Sequence, residues 1–152
     1  MFQLLIVDDN PADASLLRHL LNRVGRPHEA YIVSDGLEAL DFLHCRGPYI
    51  DAPRPNLILL DVNMPRMNGH ELLANIKNDQ DLTVIPVIML SGSKSPADIR
   101  RAYQGHANCY VEKPTNLERA QRLIQAIEAF WIDVAILPPC DEWVRLRTLQ
   151  HA

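Results

Sequence analysis

Five polar residues in this chain stand where apolar runs stop. Asp8 and Asp9 follow Leu4-Leu5-Ile6-Val7, and Asp61 follows Leu57-Ile58-Leu59-Leu60. Ser91 closes the run from Val84 to Leu90, and Lys113 comes just after Cys109-Tyr110-Val111. In an open parallel sheet, ligands and chemistry gather at the carboxyl ends of the strands. Three carboxylates meeting at that edge repel one another, and a cation relieves the repulsion. An all-oxygen set suits a hard ion such as Mg²⁺, which takes one or two carboxylates, waters and phosphate oxygens. The backbone carbonyl of Asn63 can complete the set. Lys113 is a point charge suited to a phosphoryl oxygen, and Ser91 offers a hydroxyl to another. The chemistry that fits is phosphoryl transfer to a carboxylate, with Asp61 as nucleophile and an acyl phosphate as product. Each residue alone has a duller reading, as a turn cap, a loop polar group or a solvated cation. Their coincidence at strand ends argues for a site.

The elements that must position these groups can be read in order. Leu4–Val7 and Asn56–Leu60 are short apolar runs, the mark of strands buried on both faces. Asn10-Pro11 opens a helix, with Pro in the first turn and Asp13 near the positive end of the helix dipole. Leu16, Leu17, Leu20, Leu21 and Val24 form its apolar face, and Gly25 is its expected stop. Ala30–Val33 is a strand, Ser34-Asp35-Gly36 leads into a second helix, and 47–55 is a loop with three prolines. Gly69 begins a third helix carrying Leu72, Leu73 and Ile76. The run 84–90, interrupted by Pro86, is the fourth strand. Ser95-Pro96-Ala97-Asp98 starts a helix that ends at Gly105. Cys109-Tyr110-Val111 is the fifth strand, and the last helix runs from about Asn116 past Trp131. Strand and helix alternate five times, which predicts an α/β fold: a parallel sheet with helices on both sides.

The totals restrict the function classes. At 152 residues the chain forms one domain, and 47% hydrophobic with 22% charged residues is a globular composition. A net charge of −4 gives no nucleic-acid footprint. No signal peptide and no run of about 18 apolar residues is evident, so the expected place is the cytoplasm, away from membranes. Cys45, Cys109 and Cys140 lack metal-ligand spacing and read as reduced thiols.

Asp8-Asp9, Asp61 with Met64-Pro65 and Gly69, Ser91-Gly92, and Lys113-Pro114 together resemble the signature of two-component response-regulator receiver domains. The resemblance implies a flavodoxin-like doubly wound five-stranded sheet with five helices and strand order 2-1-3-4-5. It implies a Mg²⁺ site at Asp8 and Asp9, and phosphorylation of Asp61 by a histidine kinase. It also implies a hydroxyl switch at Ser91, where Thr is commoner, an aromatic switch at Tyr110, and a cis bond before Pro114. A narrower resemblance, to small receivers that pair with bacterial phytochrome kinases, rests on the Pro-rich loop before Asp61, on Phe130-Trp131 and on Leu137-Pro138-Pro139.

Two other chemistries fit less well. A phosphatase of the haloacid dehalogenase type would need a second acid two residues after Asp61, where this chain has Asn63. Flavin binding would need a phosphate-cradling Gly-rich loop after the first strand, and there is none. The expectation is therefore a receiver domain over 1–136 and a tail over 137–152 with no output domain, acting through protein contacts or phosphorelay. It is not an enzyme beyond its own phosphorylation and dephosphorylation. On the last helix Leu117, Ala120, Ile124, Ile127, Trp131 and Val134 form the stripe expected to face the sheet. A second stripe of Leu123, Ala126, Phe130 and Leu137 predicts a homodimer through the final helix and tail. The alternative cover is the tail itself, with Trp143, Val144 and Leu146 folding back.

Overall fold

The computed structural model describes residues 1–139. Five strands alternate with five helices: β1 (Phe2–Val7), α1 (Pro11–Leu21), β2 (His28–Val33), α2 (Gly36–Leu43), β3 (Leu57–Asp61), α3 (Gly69–Lys77), β4 (Val87–Ser91), α4 (Pro96–Gln104), β5 (Cys109–Glu112) and α5 (Leu117–Ala126). All strand pairs are parallel, in the order β2-β1-β3-β4-β5, as expected. The period-two alternation of side chains divides the sheet's apolar residues between two layers. Leu4, Ile6, Leu57, Leu59, Ile88 and Leu90 face α1 and α5, whereas Leu5, Val7, Ile58, Leu60, Val87 and Met89 face α2, α3 and α4. β3 is buried at every position, which explains why its sequence does not alternate.

The helix starts obey the capping rules. Asn10, Asp35, Asn68 and Asn116 each accept a backbone N–H of the first turn. Ser95 precedes Pro96 as expected, but its side chain makes no cap bond. Among the described residues no helix is long and apolar enough to cross a membrane.

Several boundaries differ from expectation. β4 begins at Val87, because Pro86 has no N–H for the ladder; Val84 lies in the preceding turn, 50% exposed. α1 ends at Leu21, one turn before Gly25, with Asn22 as its cap. The proline-rich loop is partly packed: Gly47–Tyr49 form a 3₁₀ turn, Tyr49 and Ala52 rest on the core, and Arg54 is buried and donates to the Asp81 carbonyl at 2.7 Å. The last helix widens into a π-helical turn over Ile127–Ile132, where Asp133 N–H donates to Glu128 O at 3.0 Å. That turn shifts the register of the residues beyond it, so Val134 is 67% exposed instead of inward-facing. Leu117 is exposed too, whereas Leu123, assigned to the outer stripe, is in the core. Cys140, Trp143, Val144 and Leu146 lie outside the described residues.

Gly69 sets how closely α3 approaches the end of β3. A Cβ there would lie 2.5 Å from Asp61 O and 2.7 Å from Val62 Cα, both backbone atoms that cannot swing aside. Gly69→Ala should therefore lower stability by about 3 kcal/mol through overpacking, measured as a reduced urea midpoint. An unchanged midpoint would show that the α3–β3 approach is soft.

Candidate functional site

The ends of β1, β3, β4 and β5 each deliver a part of the site. Asp8 comes just after β1 and is buried, its Oδ1 accepting the Asn10 N–H at 2.9 Å; Asp9 is exposed beside it. Asp61 is the last residue of β3 and is 3% exposed, held between the neighbouring strands β1 and β4. Its Oδ1 accepts the Asn63 N–H at 3.3 Å, while Asn63 itself is exposed at the same edge. Ser91 ends β4, fully buried, and its hydroxyl oxygen accepts the Ser93 N–H at 3.0 Å. Lys113 stands directly after β5, anchored by its N–H to Ser91 O at 2.8 Å.

Lys113 brings these parts together. Its Nζ lies 3.2 Å from Asp61 Oδ2, 3.3 Å from Asp8 Oδ2 and 3.2 Å from Asp13 Oδ2. The carboxylate oxygens of Asp8, Asp9 and Asp61 also lie within 4.8 Å of one another. Three acids thus surround one ammonium and a fourth, Asp9, joins two of them in the cluster, and the uncompensated negative charge, carried by oxygen donors, fits a hard divalent cation. Sequence reasoning placed Asp13 on the helix dipole alone. Its partnership with Lys113 had no local signal, because the two residues lie 100 positions apart in the chain.

Tyr110 joins the site through Ser93. Its hydroxyl donates to the Ser93 carbonyl at 2.7 Å, and Ser93 N–H donates in turn to Ser91 Oγ. The Tyr110 N–H, on the edge strand, donates to the hydroxyl of Tyr103 on α4 at 3.2 Å. A further clasp missed by sequence reasoning joins the loop after β3 to the start of α2: Arg66, with φ of 65°, pairs with buried Asp35. The bond before Pro114 is trans, since the described residues contain no cis peptide; the resemblance had implied cis, but trans is the ordinary X–Pro form.

Burial pushes the Asp61 carboxyl up and the Asp8 charge adds to it; Lys113 and the Asn63 N–H pull it down, and the result is a pKa raised to about 6. For Lys113, partial burial disfavours the charge, but Asp61 and Asp8 outweigh it and hold the ammonium above the ordinary lysine value.

A doubly wound sheet whose strand ends gather acids and one lysine defines a class, the flavodoxin-like signalling domains that carry an acidic pocket at the carboxyl edge. Residues 4–128 match the response regulator receiver domain. The response regulator Rcp1 of Synechocystis sp. is 43% identical over 135 residues, covering 89% of this chain and 92% of that protein. The crystal structure of the Mn²⁺-bound form of Rcp1 superposes with a TM-score of 0.85 at 42% identity, over 91% of this chain and 100% of that one. The phosphorylated cyanobacterial phytochrome response regulator RcpA gives 0.86 at 43% identity, over 91% and 99%. This chain belongs to the response regulator receiver domain family.

The raised pKa has a measurable consequence in the metal-free protein. In the folded state Asp61 keeps its proton above the ordinary aspartate value of 3.8, so its contribution favours the fold below that value and is lost as pH rises through about 6. Asn mimics the protonated acid. In chelator, the stability advantage of Asp61→Asn over wild type should grow from near zero below about pH 4 to roughly 3 kcal/mol above about pH 7. A gap from urea unfolding that stays constant with pH would contradict the burial argument.

Proposed function

We propose that Asp61 accepts a phosphoryl group from the phosphohistidine of a histidine kinase. The observation that carries this reading is the placement of Lys113 Nζ at 3.2 Å from the Asp61 carboxylate, on a strand end that cannot move. In the transfer, an Asp61 oxygen attacks phosphorus, a P–O bond forms, and the P–N bond breaks. The imidazole leaves with the electron pair and regains a proton. Asp8, Asp9 and Asp61, with the backbone carbonyl of Asn63, are the residues that would hold Mg²⁺, and bound Mg²⁺ supplies charge neutralisation for the phosphoryl oxygens. Lys113 orients and neutralises from the opposite side. The chain is not otherwise an enzyme on this reading. Its chemistry is self-phosphorylation and self-dephosphorylation.

The readout passes through Ser91. A phosphoryl group on Asp61 offers the Ser91 hydroxyl a stronger acceptor than any it has in the resting state. Turning toward it withdraws Ser91 Oγ from the Ser93 N–H, and Ser93 O is the acceptor that holds the Tyr110 hydroxyl. One residue therefore joins the two switch positions. The altered face is that of α4 and β5.

The partner we favour is a bacterial phytochrome kinase, met in the cytoplasm. The likeness to RcpA, itself described as a cyanobacterial phytochrome response regulator, supports it at 43% identity. The net charge of −4 supports a protein partner over nucleic acid. Incubation with a small phosphodonor and Mg²⁺ should add one phosphoryl group, and Asp61→Asn should abolish the addition, read by intact-protein mass. Undiminished addition in that variant would sink the assignment.

We also propose a homodimer through the final helix. Phe130, Val134 and Ile136 are 53%, 67% and 99% exposed, and Phe130 packs edge-on against Trp131 with ring centroids 5.2 Å apart. Exposed aromatic anchors of this kind gain energy when a second copy buries them, and two-fold pairing is the commonest closed assembly. Sedimentation should show a dimer at tens of micromolar for the wild type and dissociation for Phe130→Ala. A wild-type monomer at that concentration would refute the interface.

A further inference from the structure

The chemistry proposed for this site leaves one of the carboxylates around Lys113 without a task. An ammonium has three N–H donors, and Asp61, Asp8 and Asp13 give it three acids at 3.2–3.3 Å. Asp61 and Asp8 belong to the acidic cluster whose oxygens converge; Asp13 does not. Asp13 is nevertheless firmly placed. Asn10 Oδ1 accepts the Ala12 and Asp13 N–H groups at 3.0 and 3.2 Å, and Pro11 fixes the first turn of α1. The positive end of the helix dipole favours a carboxylate there. Beside the lysine lies a small cavity of about 20 Å³, bounded by Asp8, Asp13, Leu16, Leu90, Lys113 and Pro114. That is room for about one water beside the lysine, whose Nζ is met by three carboxylates.

The charges around Lys113 change when a cation enters the acidic cluster. The carboxylates of Asp8 and Asp61 are then shared with the cation, and the cation repels the ammonium. Asp13 is the acid left to oppose that repulsion. We infer that Asp13 is a positioning residue, anchoring Lys113 beside Asp61 while the metal is bound so that the ammonium is in place when a phosphoryl group arrives. This rests on the receiver reading above. Without Asp13, the lysine leans wholly on Asp8 and Asp61 in the metal-free protein, where it competes with the cation. Once the cation is bound, the lysine keeps only the shared carboxylates of Asp8 and Asp61 and is held less firmly beside Asp61.

A double-mutant cycle over Asp13→Asn and Lys113→Ala tests the anchoring, with two readings: calorimetric Mg²⁺ affinity, and the rate of phosphorylation by a small phosphodonor at saturating Mg²⁺. With Lys113 present, Asp13→Asn should weaken Mg²⁺ binding and slow phosphorylation, each by about three- to fivefold, the range of a partly exposed ion pair. Asp13→Glu should recover most of both. In the Lys113→Ala background, Asp13→Asn should leave both readings where Lys113→Ala alone puts them. An equal loss of Mg²⁺ affinity in both backgrounds would make Asp13 a mere point charge near the metal and overturn the anchoring. No effect in either background would overturn it as well. The Asp13 side chain is 44% exposed, so the fold should tolerate these changes, checked by the urea midpoint. A wild-type protein that binds no Mg²⁺ at all would remove the receiver reading itself, a result distinct from the other two.

Discussion

Asp8, Asp9, Asp13 and Asp61 are brought to one edge of the sheet with a single ammonium among them. Asp8 and Asp61 are buried, so their mutual repulsion is screened poorly and water cannot relieve it. An arrangement of this kind costs stability, and the apolar layers on either side of the sheet must sustain it. They do so because β1, β3 and β4 are buried on both faces where they approach the site, and the strand ends they present cannot move apart. The strain is electrostatic and the scaffold that carries it is hydrophobic. A hard divalent cation in the cluster would relieve that repulsion.

The same constraint explains the tight approach of α3. Gly69 lies against the backbone of Asp61 and Val62, and its N–H donates to Val62 O at 2.8 Å. The loop between Asp61 and Gly69 is therefore short, turned sharply, and pinned at its middle by Arg66 to Asp35 at the start of α2. Asp61 is fixed from below by its strand and from beside by this loop. A nucleophile held so firmly loses little freedom when it reacts.

Much of this was legible in the sequence because the signals were categorical. Four-residue aliphatic runs ending in acids, capping residues before helices and the position of Lys113 after a short strand pointed to the sheet, to its order through the resemblance, and to the gathering of Asp8, Asp9, Asp61, Ser91 and Lys113 at one edge. Periodicity could not supply the behaviour of the chain where hydrogen bonding departs from the regular pattern. Pro86 moved the start of β4, and the π-helical turn at Ile127–Ile132 reassigned Val134 to solvent. Leu117, at the helix start, is exposed, and Leu123 is buried with Ala120, Ile124 and Ile127, so the stripe that meets the sheet is wider than the one drawn from spacing. Asp13 was identified by type and placed on the right turn, but its meeting with Lys113 spans the fold from α1 to the end of β5. Contacts between such distant segments come from topology, not from local pattern.

Asp13 is also the one partner of Lys113 that sits on a helix. Asp8 and Asp61 lie on or beside strands of the rigid centre, where a change in the lysine's allegiance has no element to move. α1 is different, because it packs in the same layer as α5 through Leu17, Leu20 and Leu21 against Ala120, Leu123 and Ile124. Lys113 itself lies only a few residues before α5 begins. The Asp13–Lys113 pair thus spans the gap between the start of α1 and the approach to α5, at the end of the layer nearest the site. The π-helical turn that follows α5 carries the exposed Phe130 and the half-buried Trp131. The regular α-helical ladder stops before that surface, so a change of hydrogen-bond pattern separates it from the end of the layer nearest the site.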